Sequence, residues 1–167
     1  MKNIFYFREI KKIGGTEQYL YEIAKKYGKT HDITIFYGEA DQEQLARLKK
    51  LVRCERANKP VKCEKAFFNF NLDFIDQVTA KEYIFVTHAN YEVLGYKPPI
   101  ENTKLTKIIG VSKFSTDKIK EYIDKLGVEL KAEMCYNPLT LEPKEKLITL
   151  VSATRLDDKV KGRRENT

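Results

Sequence analysis

The chain has 167 residues, 42% of them hydrophobic and 11% aromatic, with 31 basic against 24 acidic side chains and a formal net charge of +7. That length suits one domain with a proper core and is short for two, and the apolar content excludes a disordered chain. No apolar run approaches the roughly 20 residues of a membrane-spanning helix and no signal-peptide pattern opens the chain, so a cytoplasmic location is the expectation.

Three cysteines, Cys54, Cys63 and Cys135, stand at no metal-ligand spacing, and the chain has only two histidines. Reduced thiols are the plain reading, and no metal site is expected. The basic charge suits an anionic partner such as a membrane surface, a phosphorylated lipid or a nucleotide; lysines scattered over solvated faces explain it equally. No nucleic-acid partner is expected.

Taken in chain order, apolar runs alternate with helical patterns. Residues 3–7 read as a short strand, followed by a loop carrying Gly14 and Gly15. Leu20, Ile23, Ala24 and Tyr27 form one apolar face of a helix over 16–27, which Gly28 ends. Residues 33–36 read as a strand ended by Gly38, and 41–51 as a polar helix with Leu45, Leu48 and Leu51 along one side. Residues 65–71 read as a strand, and 72–80 fit no single pattern. The run 83–87 is β-branched and aromatic without alternation, the mark of a strand buried on both faces. Residues 107–111 form another such strand. Ile119, Tyr122, Ile123 and Leu126 then repeat at helical spacing over 113–126, with Gly127 as the stop. Residues 132–136 read as a strand, and 137–146, with two prolines, as a linker. Residues 147–151 read as an apolar strand running into a basic loop. This alternation predicts an α/β fold, a Rossmann-like parallel sheet with helices on both faces.

Ligands of such sheets bind where the strands' C-terminal ends meet loops and helix N-termini. Four places qualify. At Gly14-Gly15-Thr16-Glu17, two glycines permit close backbone approach and a helix start offers unpaired N–H groups; a tight turn explains the glycines equally, and the full G-x-G-x-x-G pattern is absent. His88, after the strand 83–87, suits acid, base or hydrogen-bonding work on a hydroxyl, or is simply satisfied by backbone. Ser112, before the long helix, reads as a helix cap in preference to a nucleophile, because no Gly-x-Ser-x-Gly elbow surrounds it. Arg155 and Lys161, after the last strand, are suited to gripping a phosphate.

In order, GGTEQYLYEIAKKY, YIFVTHANY, IIGVSKFSTDKI, CYNP and LVSATRLDDKVKG together resemble glycosyltransferase family 4, enzymes of the GT-B fold. The resemblance implies two Rossmann-like domains facing one another, with the acceptor held by the first and the nucleotide-sugar by the second. It implies that Gly14, Gly15, Arg155 and Lys161 face the donor diphosphate. His88 would act at the transferred sugar or acceptor hydroxyl, and Thr16, Glu17 and Ser112 would line the acceptor-side cleft. The reaction implied is retaining transfer from a nucleotide-sugar to a glycan or lipid-linked acceptor, as in capsule, exopolysaccharide or cell-surface glycan synthesis at the inner face of the membrane. Neither a metal nor a cofactor is implied, the nucleotide-sugar being a co-substrate. On this reading 1–136 is the acceptor-side domain, 137–146 the linker and 147–167 a truncated start of the donor domain, inactive alone, with 147–151 available for self-association. The competing reading is a freestanding, non-catalytic α/β module that binds a nucleotide or an anionic surface. A sugar-nucleotide epimerase on the same fold is a third.

Overall fold

The computed structural model describes residues 2–12, 14–88, 91, 95 and 97–138. Its elements are, in chain order, β1 (Lys2–Ile10), α1 (Gly15–Tyr27), β2 (Asp32–Ala40), α2 (Gln42–Lys49), β3 (Arg53–Arg56), β4 (Val61–Lys62), β5 (Lys65–Asn69), a 3₁₀ turn (Ile75–Gln77), β6 (Val78–Thr79), β7 (Glu82–Thr87), β8 (Lys107–Gly110), α3 (Lys113–Leu126) and β9 (Lys131–Met134). Among the described residues seven strands form one sheet in the order β3-β2-β1-β5-β7-β8-β9, parallel at every pairing. The fold is α/β and Rossmann-like, as the alternation predicts. The direction of strand addition reverses at β1, so the crevice of the sheet opens between the C-terminal ends of β1 and β5.

The sheet is buried on both faces because its strands are apolar at consecutive positions. Along β1, Ile4 and Tyr6 join Phe36, Phe68, Phe85, Ile119 and Ile123 on the face covered by α3. Phe5 and Phe7 join Leu20, Ile23, Ile35 and Leu48 on the face covered by α1 and α2. Register aligns the aromatics across strands: Phe5 pairs with Phe67 and Tyr6 with Phe68. The rings stack at centroid distances of 4.5 and 5.3 Å. Phe36, Phe68 and Phe85 are almost fully buried, and each such ring contributes about 2–3 kcal/mol by leaving water.

The structure corrects several of the sequence expectations. Both β1 and β2 extend past the expected 3–7 and 33–36, and Gly38 lies inside β2 instead of ending it. A Cβ there would lie 2.7 Å from the Arg8 carbonyl oxygen, so the glycine serves a close strand-to-strand approach. Strand β3 escaped detection because Arg-Cys-Glu-Arg is a charged edge sequence; Glu55 pairs with Arg53 and, at 3.3 Å, with Lys59. The segment 72–80 resolves into the 3₁₀ turn and β6, which pairs with β4 in a separate two-stranded ribbon. The strands expected at 65–71, 107–111 and 132–136 end earlier than predicted, at Asn69, Gly110 and Met134. Among the described residues no helix is long and apolar enough to cross a membrane.

Helix α3 follows local rules throughout. Ser112 Oγ accepts from Ser115 N at 3.1 Å, and Ser115 Oγ accepts from Ser112 N at 3.1 Å. This is a complete capping box. At the other end Gly127 adopts φ +64°, the left-handed stop that a glycine takes without strain.

Candidate functional site

The carboxyl end of β5 is Asn69, and β7 delivers His88 one residue beyond Thr87. The two meet: His88 Nε2 lies 2.9 Å from Asn69 Oδ1, while Asn69 Nδ2 donates to the Tyr6 carbonyl at 3.3 Å. This chain of bonds assigns protons. A carbonyl only accepts, so the amide of Asn69 must turn its nitrogen to Tyr6 and its oxygen to His88. Nε2 must therefore carry the imidazole proton, which leaves Nδ1 with the lone pair. Asn69 is buried, at 2% exposure, so the orientation is held by a side chain with little freedom.

Burial pushes the His88 pKa down from 6.5 to about 4. At neutral pH the ring is uncharged, and Nδ1 is an acceptor or base. Tyr19, from the second turn of α1, sets its ring edge-on to His88 with centroids 4.7 Å apart. Phe70 lies on the imidazole at 5.5 Å in a tilted arrangement. Burial also raises the Tyr19 phenol well above its usual range, so it stays protonated.

The start of α1 is built differently from that of α3. Gly14 is its N-cap and supplies no side-chain bond. The Glu17 carboxylate instead folds back, accepting from Lys11 N at 3.0 Å, and a Cβ on Gly14 would collide with it. Gly15 is exposed and has nothing within 4 Å of where its Cβ would be. Thr16 is half-buried and Glu17 is buried. Ser112 spends its polar atoms on its own helix: its carbonyl accepts from Thr116 Oγ1 at 2.7 Å, beyond the capping box. No hydrogen bond links Ser112 or Glu17 to His88 among the described residues. Arg155, Lys161, the strand expected at 147–151 and most of the expected linker 137–146 lie outside the described residues.

Sequence reasoning singled out His88 and missed Asn69, Tyr19 and Phe70. Asn69 was readable only as one residue within an expected strand 65–71. Its value comes from β5 lying beside both β1 and β7, a pairing that no local pattern announces.

A concavity of about 690 Å³ runs along the α1 face of the sheet; Tyr19, Tyr27, Tyr136 and Pro138 line it together with Phe67 and Ile109. The crossover helices α1 and α2 serve strands on one side of the switch, while α3 covers the opposite face. Among the described residues no cluster of three or more His, Cys, Asp or Glu side chains is placed to hold a metal, and the three cysteines are free. No family model, no curated protein and no solved structure matches this chain.

Proposed function

We propose that this chain is the N-terminal, acceptor-side portion of a retaining glycosyltransferase that moves a sugar from a nucleotide-sugar to a glycan or lipid-linked acceptor. The observation that carries the reading is the Tyr6–Asn69–His88 relay at the switch point of the sheet. It holds a neutral imidazole with a defined tautomer where an open parallel sheet receives its ligand. Nδ1 would accept a hydrogen bond from a sugar hydroxyl and keep that role across neutral pH, since the ring protonates only near pH 4. Glu17 and Thr16 belong to the acceptor-side cleft on this reading, while Ser112 caps the helix beside it, and the Glu17 carboxylate is a suitable acceptor for hydroxyls. With that carboxylate against Gly14, a donor diphosphate would approach on the open side at Gly15. The net charge of +7 fits work at an anionic inner membrane face in capsule, exopolysaccharide or cell-surface glycan synthesis.

The test is titration of isotope-labelled protein with UDP-glucose, GDP-mannose and simple methyl hexopyranosides, read at the His88 imidazole and the Asn69 amide. We expect sugar-dependent shifts at both groups with millimolar affinity, about 4 kcal/mol of binding. Absence of any response there to every sugar would remove the reading. Micromolar binding of a nucleotide regardless of its sugar would favour the freestanding module instead.

A further inference from the structure

Phe70 is the one described residue other than glycine with a positive φ, +67°. That conformation crowds a Cβ against the backbone and is unusual for a bulky side chain. Such strain is commonly offset by burial of the ring. Here it is not: Phe70 is 39% exposed and belongs to neither core cluster. A large apolar ring is thus held in a disfavoured backbone conformation and left partly exposed, which points to a use beyond packing.

Its position supplies that use. Phe70 follows the last residue of β5 at the switch point, and its ring leans on His88 at 5.5 Å and 33°. On its other contact the imidazole is braced edge-on by Tyr19, and Nε2 is committed to Asn69. Among the described residues no hydrogen bond engages Nδ1, so its lone pair and the exposed part of the Phe70 ring are the groups free to meet a ligand. A hydroxyl donor and an apolar face, carried side by side, are what a pyranose ring presents: O–H groups at its rim and polarised C–H bonds on its face. The negative face of an aromatic ring attracts such C–H bonds.

We propose that Phe70 is a stacking platform for a hexopyranose ring, one of whose hydroxyls donates to His88 Nδ1. This inference rests on the sugar-binding reading above and deepens it by naming the residue that selects a ring. The left-handed conformation would serve to turn the side chain out of the strand's alternation and toward the imidazole.

Two variants test it. Asn is tolerated in left-handed backbone, so Phe70→Asn removes the ring while keeping the turn; Phe70→Tyr keeps both ring and strain. Saturation-transfer NMR with methyl glucopyranoside and methyl mannopyranoside, irradiating aromatic protons, reads the contact directly. The expected result is transfer to the pyranose C–H protons in the parent and in Phe70→Tyr. In Phe70→Asn that transfer should be lost and affinity should fall at least fivefold, with a thermal midpoint equal to or above the parent's. If the sugars shift His88 but Phe70→Asn changes neither transfer nor affinity, the platform is wrong while the sugar site stands. If the sugars leave His88 unmoved, both fall. A lowered midpoint in Phe70→Asn would make the ring structural and overturn the inference. So would uridine or adenosine taking up Phe70-dependent saturation where the sugars take none.

Discussion

The ends of two neighbouring strands meet opposite fates. β7 and β8 lie side by side, and each delivers a polar residue to the same edge of the sheet, His88 after Thr87 and Ser112 just beyond Gly110. Ser112 is consumed by local structure: its hydroxyl, N–H and carbonyl all bond within the first turn of α3. His88 is organised by strands distant in sequence, through Asn69 of β5 and the Tyr6 carbonyl of β1. Among the described residues only one ring nitrogen is thereby committed. A polar residue at a strand end becomes a candidate for chemistry when tertiary partners orient it and leave an atom over. When a helix start absorbs every atom, the same position is structural.

The largest test of that contrast is pH. Folding keeps His88 neutral with a pKa of about 4, against about 6.5 in an unfolded chain. Between those values the unfolded chain binds the proton that the folded one excludes, so stability is full above pH 6.5 and falls as pH drops toward 4. The shift corresponds to on the order of 3 kcal/mol. Urea denaturation from pH 7.5 to 4 should show this slope in the parent and lose it in His88→Gln, while carboxylate titration remains common to both. An identical slope in the variant would mean that His88 is not held neutral by the fold.

Next in size is the docking of α3. A Cβ on Gly110 would clash with the Thr116 hydroxyl and lie 2.8 Å from Thr116 backbone atoms. Gly110→Ala must push the first turn of α3 off β8 and should destabilise by about 2 kcal/mol. A change below 0.5 kcal/mol in denaturation midpoint energetics, roughly the scatter of neutral surface substitutions, would show that the helix yields freely and that Ser112 is less tightly placed than its bonds suggest.

The smallest effect sharpens the contrast most. Ser112→Ala removes the cap and should lower stability by about 1 kcal/mol, with Ser112→Asp restoring most of it as an alternative N-cap. Binding of the methyl hexopyranosides at His88 should be unchanged in both variants, measured by the same imidazole shifts. Loss of sugar binding in Ser112→Ala at full folding would return Ser112 to the site.

The strands buried on both faces, the helix over 113–126 and its two ends were legible because their signals are local. Continuous β-branched and aromatic runs, apolar spacing of three and four, a serine before the helix and a glycine after it each act within a few residues. Edge strand β3 was not legible, since its four residues carry no apolar pattern and their pairing is dictated by β2 beside them. Nor was the role of Gly38, whose reason is a carbonyl thirty residues earlier in the chain.

Local patterns in the chain place a strand end just before His88, on the side of a parallel sheet where ligands collect. Tertiary structure alone decided which nitrogen of His88 keeps the lone pair, that Asn69 orients it, and that Phe70 and Tyr19 flank it. The physical reason is range. Helix periodicity and capping are settled among neighbours in the chain, whereas a tautomer is settled by whichever donor or acceptor the fold brings within hydrogen-bond reach. Here that is a carbonyl 63 positions before Asn69 and an amide 19 positions before His88, joined only because β5 is inserted between β1 and β7.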